Sequence, residues 1–314
     1  MEYKILLVGL GNIGIRHLEG ILAVKKKLVI YIFDRNQIKY LDIANYLKNK
    51  KTKHTIIYVK DILDLKTIDL LILATDSLNR LNILEKIIKC TKIKSLLLEK
   101  VVFLDSTSFN KAIKLIKLHK IKAWVNCIRR EVSFYNKLKK NLKKSKFKIH
   151  YTGYKWGLAS NLIHFIDLFF YFSISKNISY FTKFNNKKYI TKRSNYHDIH
   201  GLIKIKDSYK NELILEDNIK YKKNLLKIEI NNKKYIIKNN LVYLENLKLN
   251  RFNKNNNLDD EKVSVITTRF INKILKKKKI NLANLEESYS YHKILFTIVK
   301  RYLKKQKIKK INYT

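Results

Sequence analysis

The chain has 314 residues, with 68 Lys and Arg against 25 Asp and Glu, a formal net charge of +43, seven glycines, no proline and two cysteines. Charge alone points to a polyanion binder, but only nine of the basic residues are arginine, the side chain that reads bases and phosphates through a bidentate fork. Lysine is spread along the chain beside abundant Asn, Ile, Tyr and Phe, which fits an A/T-rich coding bias rather than specific nucleic-acid recognition, and Cys90 and Cys127 offer neither zinc spacing nor a disulfide framework.

The first apolar run, Ile5-Leu6-Leu7-Val8, leads directly into Gly9-Leu10-Gly11-Asn12-Ile13-Gly14. This is G-x-G-x-x-G at a strand-to-helix junction, the dinucleotide-binding fingerprint: Gly9 for the tight turn, Gly11 for close approach of the pyrophosphate, Gly14 for packing of helix on strand. An N-terminus that opens on a strand leaves no room for a secretory signal, so a cytoplasmic protein is expected. Residues 28–33 read as a buried parallel strand ending at Asp34, about 20 residues after the glycines, where an acid holds the ribose hydroxyls. A carboxylate there repels a 2′-phosphate and favours NAD over NADP. Arg35 leaves the choice open, because a guanidinium beside the acid pairs with that phosphate or stacks on adenine.

Helix and strand patterns then alternate: a helix at 38–47, strands at 55–59 and 69–74, a helix at 78–88, a strand at 95–98, a helix at 108–118 and a strand at 122–126. The alternation predicts a doubly wound parallel sheet, whose ligands bind beyond the carboxyl ends of the strands. Ala74-Thr75-Asp76, Glu99-Lys100 and Asn126-Cys127-Ile128-Arg129-Arg130 occupy such ends. The expected cofactor set is therefore Gly9, Gly11, Asn12, Ile13, Gly14, Asp34, Arg35, Thr75 and Glu99.

After a helix at 131–142 the character changes. Residues 158–174 form an apolar stretch interrupted by Asn161, His164 and Asp167, hence a buried helix and not a membrane span. Segments at 201–205, 212–215, 225–230, 234–237 and 241–244, separated by Asn-Lys and Asn-Asn turns, predict an antiparallel sheet. Helices at 263–276 and 285–304 close the chain. Two domains are expected: 1–125 for the dinucleotide, and 126–314 as an α+β substrate-binding and oligomerisation domain.

Three motifs together resemble the glucose-fructose oxidoreductase and inositol dehydrogenase family (Gfo/Idh/MocA): Gly9-Leu10-Gly11-Asn12-Ile13-Gly14-Ile15-Arg16-His17, then Glu99-Lys100-Val101 at a strand end, then Gly157 followed by His164-Phe165-Ile166-Asp167. The resemblance spans most of the chain. It implies a second domain built on an open, mostly antiparallel sheet, a nicotinamide cofactor, and catalysis by Lys100, His164 and Asp167. The sequence departs from the family pattern at Val101, where the family has proline, and at Ser160, where it has an aspartate, with Asn161 the nearest polar alternative. The stretch from Trp156 to Asn161 also resembles members associated with surface-polysaccharide and nucleotide-sugar metabolism.

Hydride transfer from a secondary alcohol needs a base for the hydroxyl proton. Lys100 is that candidate, since burial near a second cation lowers a lysine pKa towards neutrality. His164 would bind the substrate hydroxyl or relay a proton, with Asp167, three residues on and on the same helix face, orienting its ring. Arg129, Arg130, Lys192 and Arg193, with Asn161, would receive an anionic substrate such as a sugar acid or nucleotide sugar. Tyr196-His197-Asp198-Ile199-His200 is too sparse for a metal site, and none is expected. The expected protein is an NAD(P)-dependent oxidoreductase acting on a carbohydrate-like alcohol or ketone, with the open sheet as a homo-oligomer surface, no specific nucleic acid and no membrane span. Its rivals are a catalytically silent dinucleotide-binding regulatory protein and a polyanion binder.

Overall fold

The computed structural model describes residues 2–48, 51–62, 65–142, 145–185, 189–190, 197–231, 233–239, 241–245, 258 and 261–307. The chain divides into two compact units, Met1–Ile128 with Lys262–Tyr289, and Arg129–Glu261 with Ser290–Thr314.

The first unit runs β1 (Tyr3–Val8), α1 (Asn12–Leu22), β2 (Leu28–Phe33), α2 (Lys39–Lys48), β3 (Thr55–Tyr58), β4 (Thr67–Leu73), α3 (Arg80–Cys90), β5 (Lys92–Leu98), α4 (Ser106–Leu118) and β6 (Lys122–Val125). The six strands make one parallel sheet in the order β3-β2-β1-β4-β5-β6. Consecutive residues Ile5, Leu6 and Leu7, and likewise Leu70 to Leu73, are fully buried, so both faces of the central strands are covered. That requirement explains their unbroken apolar runs. Strand order reverses between β1 and β4, and this switch point puts Gly9, Ala74 and Glu99 beyond neighbouring carboxyl ends. The register is continued by main-chain bonds: Gly9 N–H donates to Phe33 O at 2.9 Å, Ala74 N–H to Val8 O at 2.9 Å, and Asn126 N–H to Leu98 O at 2.8 Å.

The second unit contains α5 (Ser133–Leu142), β7 (Phe147–Gly153), α6 (Leu158–Phe172), β8 (Ile178–Phe184), β9 (Tyr189–Ile190), β10 (His197–Asp198), β11 (Gly201–Asp207), β12 (Glu212–Asp217), β13 (Leu225–Ile230), β14 (Lys233–Lys238) and β15 (Leu241–Glu245). Its seven-stranded sheet has the order β15-β14-β13-β7-β12-β11-β8; β7 and β12 pair in parallel and the other neighbours are antiparallel. Phe147 on β7 meets Phe169 and Phe172 of α6 with ring centroids 5.5 and 5.6 Å apart, which seats the helix on the sheet.

Two helices follow, α7 (Val263–Leu275) and α8 (Leu285–Gln306). Both were expected to close a second domain beginning at 126, but α7 belongs to the first unit, and the division falls inside α8. The reason is a close approach of α7 to α1: a Cβ on Gly20 would lie 2.4 Å from Ser264 O, and the Thr268 hydroxyl donates to Gly20 O at 2.7 Å. Among the described residues no helix is long and apolar enough to cross a membrane.

Candidate functional site

The turn after β1 is built by its glycines. Gly9 has φ +96°, a left-handed conformation that a side chain disfavours, and a Cβ there would meet the Ala74 carbonyl at 3.0 Å. A Cβ on Gly14 would lie 1.8 Å from Gly9 O, so α1 can seat against the turn only without a side chain at that position. Gly11 differs, because a Cβ there would meet nothing within 4 Å and faces open space. Helix α1 starts at Asn12 with Ile13 behind it; no side chain caps it and its first turn holds no acid, so its positive end is left uncompensated.

Beside this helix end lies a cavity of about 230 Å³, lined among others by Gly9, Gly11, Asp34, Arg35, Lys39 and Thr75. Asp34 is almost buried; its Oδ2 accepts the Leu10 amide at 2.6 Å and the Lys39 ammonium at 2.9 Å, and its Oδ1 accepts the Asn36 amide at 2.9 Å. Burial opposes ionisation of this carboxyl, yet the two amides and Lys39 together hold its pKa below the ordinary value. Lys39 is a site residue that sequence reasoning missed; the signal available was its place at the start of α2, five residues after the acid. Thr75 Oγ1 is buried with no protein partner at the cavity wall. An uncapped helix end, open space over Gly11, an anchored carboxylate and an orphaned hydroxyl fit the phosphates and ribose of a dinucleotide.

The ends of β4 and β5 carry the second group. Glu99 is buried, its Oε1 accepting from His17 Nε2 at 3.0 Å and Asn126 Nδ2 at 2.5 Å. Burial works against its charge, but His17, Asn126 and the Lys100 ammonium pull its pKa below the usual carboxylate value. Glu99, expected to contact the cofactor, ties the β5 end to α1 and β6 through these bonds. His17 in turn meets Thr267 Oγ1 of α7 at 2.8 Å. Lys100 itself is half-buried, and the Lys100–Val101 peptide is cis. Arg80, buried at the start of α3, donates through Nη1 to the carbonyls of Glu99, Val101 and Val102 at 2.6, 2.5 and 2.8 Å, and through Nη2 to Thr75 O. Burial pushes its pKa down to about 10, against the pull of Glu99 and Asp76.

In the second unit α6 begins after Gly157, and Asp198 Oδ1 accepts the Ala159 amide at 2.8 Å in place of an N-cap side chain. Asn161 donates to the carbonyls of Trp156 and Gly157, both at 3.0 Å, and Ser160 Oγ to Gly157 O at 3.1 Å, so these side chains shape the helix entry. His164 is half-buried on α6. Asp167, expected to orient the His164 ring, is buried, and its Oδ2 lies 2.8 Å from Arg130 Nε, making it half of an interior ion pair. Arg130 also stands over the rings of Tyr171 and Tyr291. Arg129 pairs with Glu261 at 3.1 Å and lies over Phe165. Arg129 and Arg130, both expected to receive an anionic substrate, thus each hold a carboxylate and aromatic rings. Lys192 and Arg193 lie outside the described residues, as does the His197 side chain, while His200 Nδ1 pairs with Asp217 at 2.6 Å. Among the described residues no group of three His, Cys, Asp or Glu could hold a metal ion.

No protein-family model and no curated protein matches the sequence. Solved structures with the same fold do match. A dehydrogenase (MviM) from Clostridium difficile is 18% identical, covering 96% of this chain and 100% of that one with a TM-score of 0.70. UDP-N-acetylglucosamine 3-dehydrogenase GnnA from Acidithiobacillus ferrooxidans is 11% identical, with 95% and 97% covered and a TM-score of 0.71. Biliverdin reductase from Synechocystis sp. PCC 6803, solved with biliverdin and NADP+, is 13% identical, with 95% and 98% covered and a TM-score of 0.68. The likeness extends over both units and establishes the fold: a parallel dinucleotide-type sheet plus a mostly antiparallel one.

Proposed function

We propose that this chain is a nicotinamide-dinucleotide-dependent oxidoreductase of the Gfo/Idh/MocA type, acting on an alcohol or ketone carbon of a carbohydrate-like substrate, with NAD favoured over NADP. The observation that carries the reading is the cavity in which the open side of Gly11, the uncapped start of α1, the anchored Asp34 and the orphaned Thr75 hydroxyl converge. In this assignment Gly9 to Gly14 hold the pyrophosphate, Asp34 the ribose hydroxyls, and Thr75 a further polar group of the nucleotide. The dinucleotide, when bound, supplies the hydride acceptor or donor.

The protein's own residues move the proton. Lys100 takes it from the substrate hydroxyl in oxidation and returns it in reduction, and His164 binds the hydroxyl and holds it in place. A sugar nucleotide is the substrate class we favour, in line with the fold shared with a UDP-N-acetylglucosamine 3-dehydrogenase and with the Trp156-to-Asn161 resemblance. The test is a thermal-shift comparison of NAD(H) and NADP(H), followed by incubation with NAD+ and a panel of sugars, sugar acids and UDP-sugars while NADH fluorescence is recorded. Stabilisation by the cofactor and NADH formation with a panel member support the proposal. Stabilisation without NADH formation in either direction favours the regulatory reading, which Val101 and Ser160 motivate. Stabilisation by neither cofactor overturns both.

A further inference from the structure

The seven-stranded sheet sorts its side chains by the period of two. Ile149, Ile205, Leu213 and Ile228 share the face of Phe147, against which α6 sits, and are fully buried. Two rows on the opposite face are partly or fully exposed. The first runs Lys206, Glu212, Lys148, Glu229, Lys234 and Glu245 across β11, β12, β7, β13, β14 and β15, each residue in register with the next. Its charges alternate without a break. Lys206 and Lys148 lie 2.6 and 3.9 Å from Glu212, and Lys234 lies 2.6 Å from Glu245. Such cross-strand pairs stabilise the sheet of one chain. Six alternating charges have a further property: turned end for end about their middle, between β7 and β13, they set every lysine over a glutamate. Turned about any single strand, or about the row itself, they set like on like.

The second row obeys the same axis. It runs Lys204, Ile214, His150, Lys227, Ile236 and Tyr243 over the same six strands. Turned about the same middle it opposes Ile214 to Ile236, Lys204 to the Tyr243 ring as a cation–π pairing, and His150 to Lys227. Burial, with Lys148 and Lys227 nearby, holds the His150 pKa below the ordinary value, so no like charge is set against Lys227. Cross-strand pairing within one chain explains the first row's alternation but not this agreement of the second.

We propose that two copies of this chain form a two-fold dimer by packing these open sheet faces together, with the axis parallel to the strands and passing between β7 and β13. Six strands at about 4.8 Å and five residues at about 3.4 Å give roughly 500 Å² per copy. The total of about 1,000 Å² sits at the lower limit of a specific interface. The dimer should therefore dissociate on dilution and, being held by exposed ion pairs, as salt rises.

The test is the mass of the full chain in solution, by light scattering after gel filtration. The wild type should run at twice the chain mass of 37.5 kDa and shift towards the monomer in high salt. Glu212 of one copy opposes Lys234 of the other. Glu212→Lys and Lys234→Glu should each be monomeric alone, and their equimolar mixture should recover the dimer, because lysine again faces glutamate at both positions. Circular dichroism checks that each variant folds. Carbodiimide cross-linking of the wild type needs no substitution: Lys206 and Glu245 stand five strands apart in one chain, about 24 Å, so an amide between them, found by peptide mass spectrometry, joins two copies. A monomeric wild type, variants that dimerise as the wild type does, a mixture that stays monomeric, or an absent Lys206–Glu245 link overturns the proposal. If either variant does not fold, the link alone decides.

Discussion

The Lys39 ammonium lies 2.9 Å from Asp34 Oδ2, the same oxygen that accepts the Leu10 amide. The acid that would bond the ribose hydroxyls is thus anchored to the phosphate turn and partly neutralised by a cation at the cavity wall. Its remaining acceptor capacity favours a 2′-hydroxyl, while Lys39 and Arg35 soften the repulsion of a 2′-phosphate. NAD(H) should raise the melting temperature more than NADP(H), about 2.7 kcal/mol of stabilisation arising at 100 times Kd. Asp34→Ala should narrow or invert the gap, and Lys39→Ala should widen it. Equal stabilisation by both cofactors in the wild type would count against the NAD assignment.

Gly14 and Gly11 separate steric from ligand effects. Gly14→Ala places a methyl 1.8 Å from Gly9 O, so the turn must shift, at a cost of about 1–3 kcal/mol as for other overpacked sites. Its melting temperature should fall even without cofactor. Gly11→Ala has room in the free protein and should melt as the wild type does, yet lose affinity for NAD(H) in calorimetric titration. Wild-type affinity in Gly11→Ala would move the pyrophosphate away from that spot.

The buried Arg130–Asp167 pair makes a different demand. Asp167→Asn leaves the guanidinium inside without its counter-charge, and breaking such a pair typically costs about 3–5 kcal/mol. Urea denaturation should show that loss, while NAD(H) affinity of the folded variant stays at the wild-type level. A variant as stable as the wild type would return Asp167 to the list of groups retained for chemistry.

Glu99 predicts acid sensitivity. Its folded pKa lies below the ordinary value of 4.5, held there by His17, Asn126 and Lys100 against the effect of burial. A carboxylate depressed in this way contributes stability that is fully present above about pH 4.5 and is lost as pH falls through the lower, folded value. Glu99→Gln should be less stable than wild type at neutrality and should show a flatter acid limb in urea midpoints measured from neutrality downward. Parallel acid limbs for the two proteins would place the charge-dependent stability elsewhere.

The parallel sheet was legible because β2 and the later parts of β1 and β4 are unbroken apolar runs and because β1, β2, β4 and β5 are each followed by a helix. The phosphate turn was legible in a chain so poor in glycine. Strands β7 and β8 went unread: β7 follows a lysine-rich stretch and keeps only a modest alternation, Phe147, Ile149 and Tyr151 against Lys148, His150 and Thr152, which pairing on both sides stabilises. The place of α7 could not be read either, since the Thr268–Gly20 bond joins residues 248 apart. Arg80, Arg130 and Asp167 carry charges whose partners are remote carbonyls and side chains, and local spacing gives no sign of them.

Lys100 is the group proposed to carry the proton in a nicotinamide-dependent reaction on a hydroxyl-bearing substrate. The most direct test compares wild type and Lys100→Met in steady-state NADH formation from NAD+ and the panel member that the wild type oxidises, with NAD+ affinity measured separately. General acid–base help is worth about 10²–10⁴-fold, so turnover should fall by that order while NAD+ affinity is nearly unchanged, the glycine turn being untouched. Full turnover in folded Lys100→Met would mean that another group carries the proton.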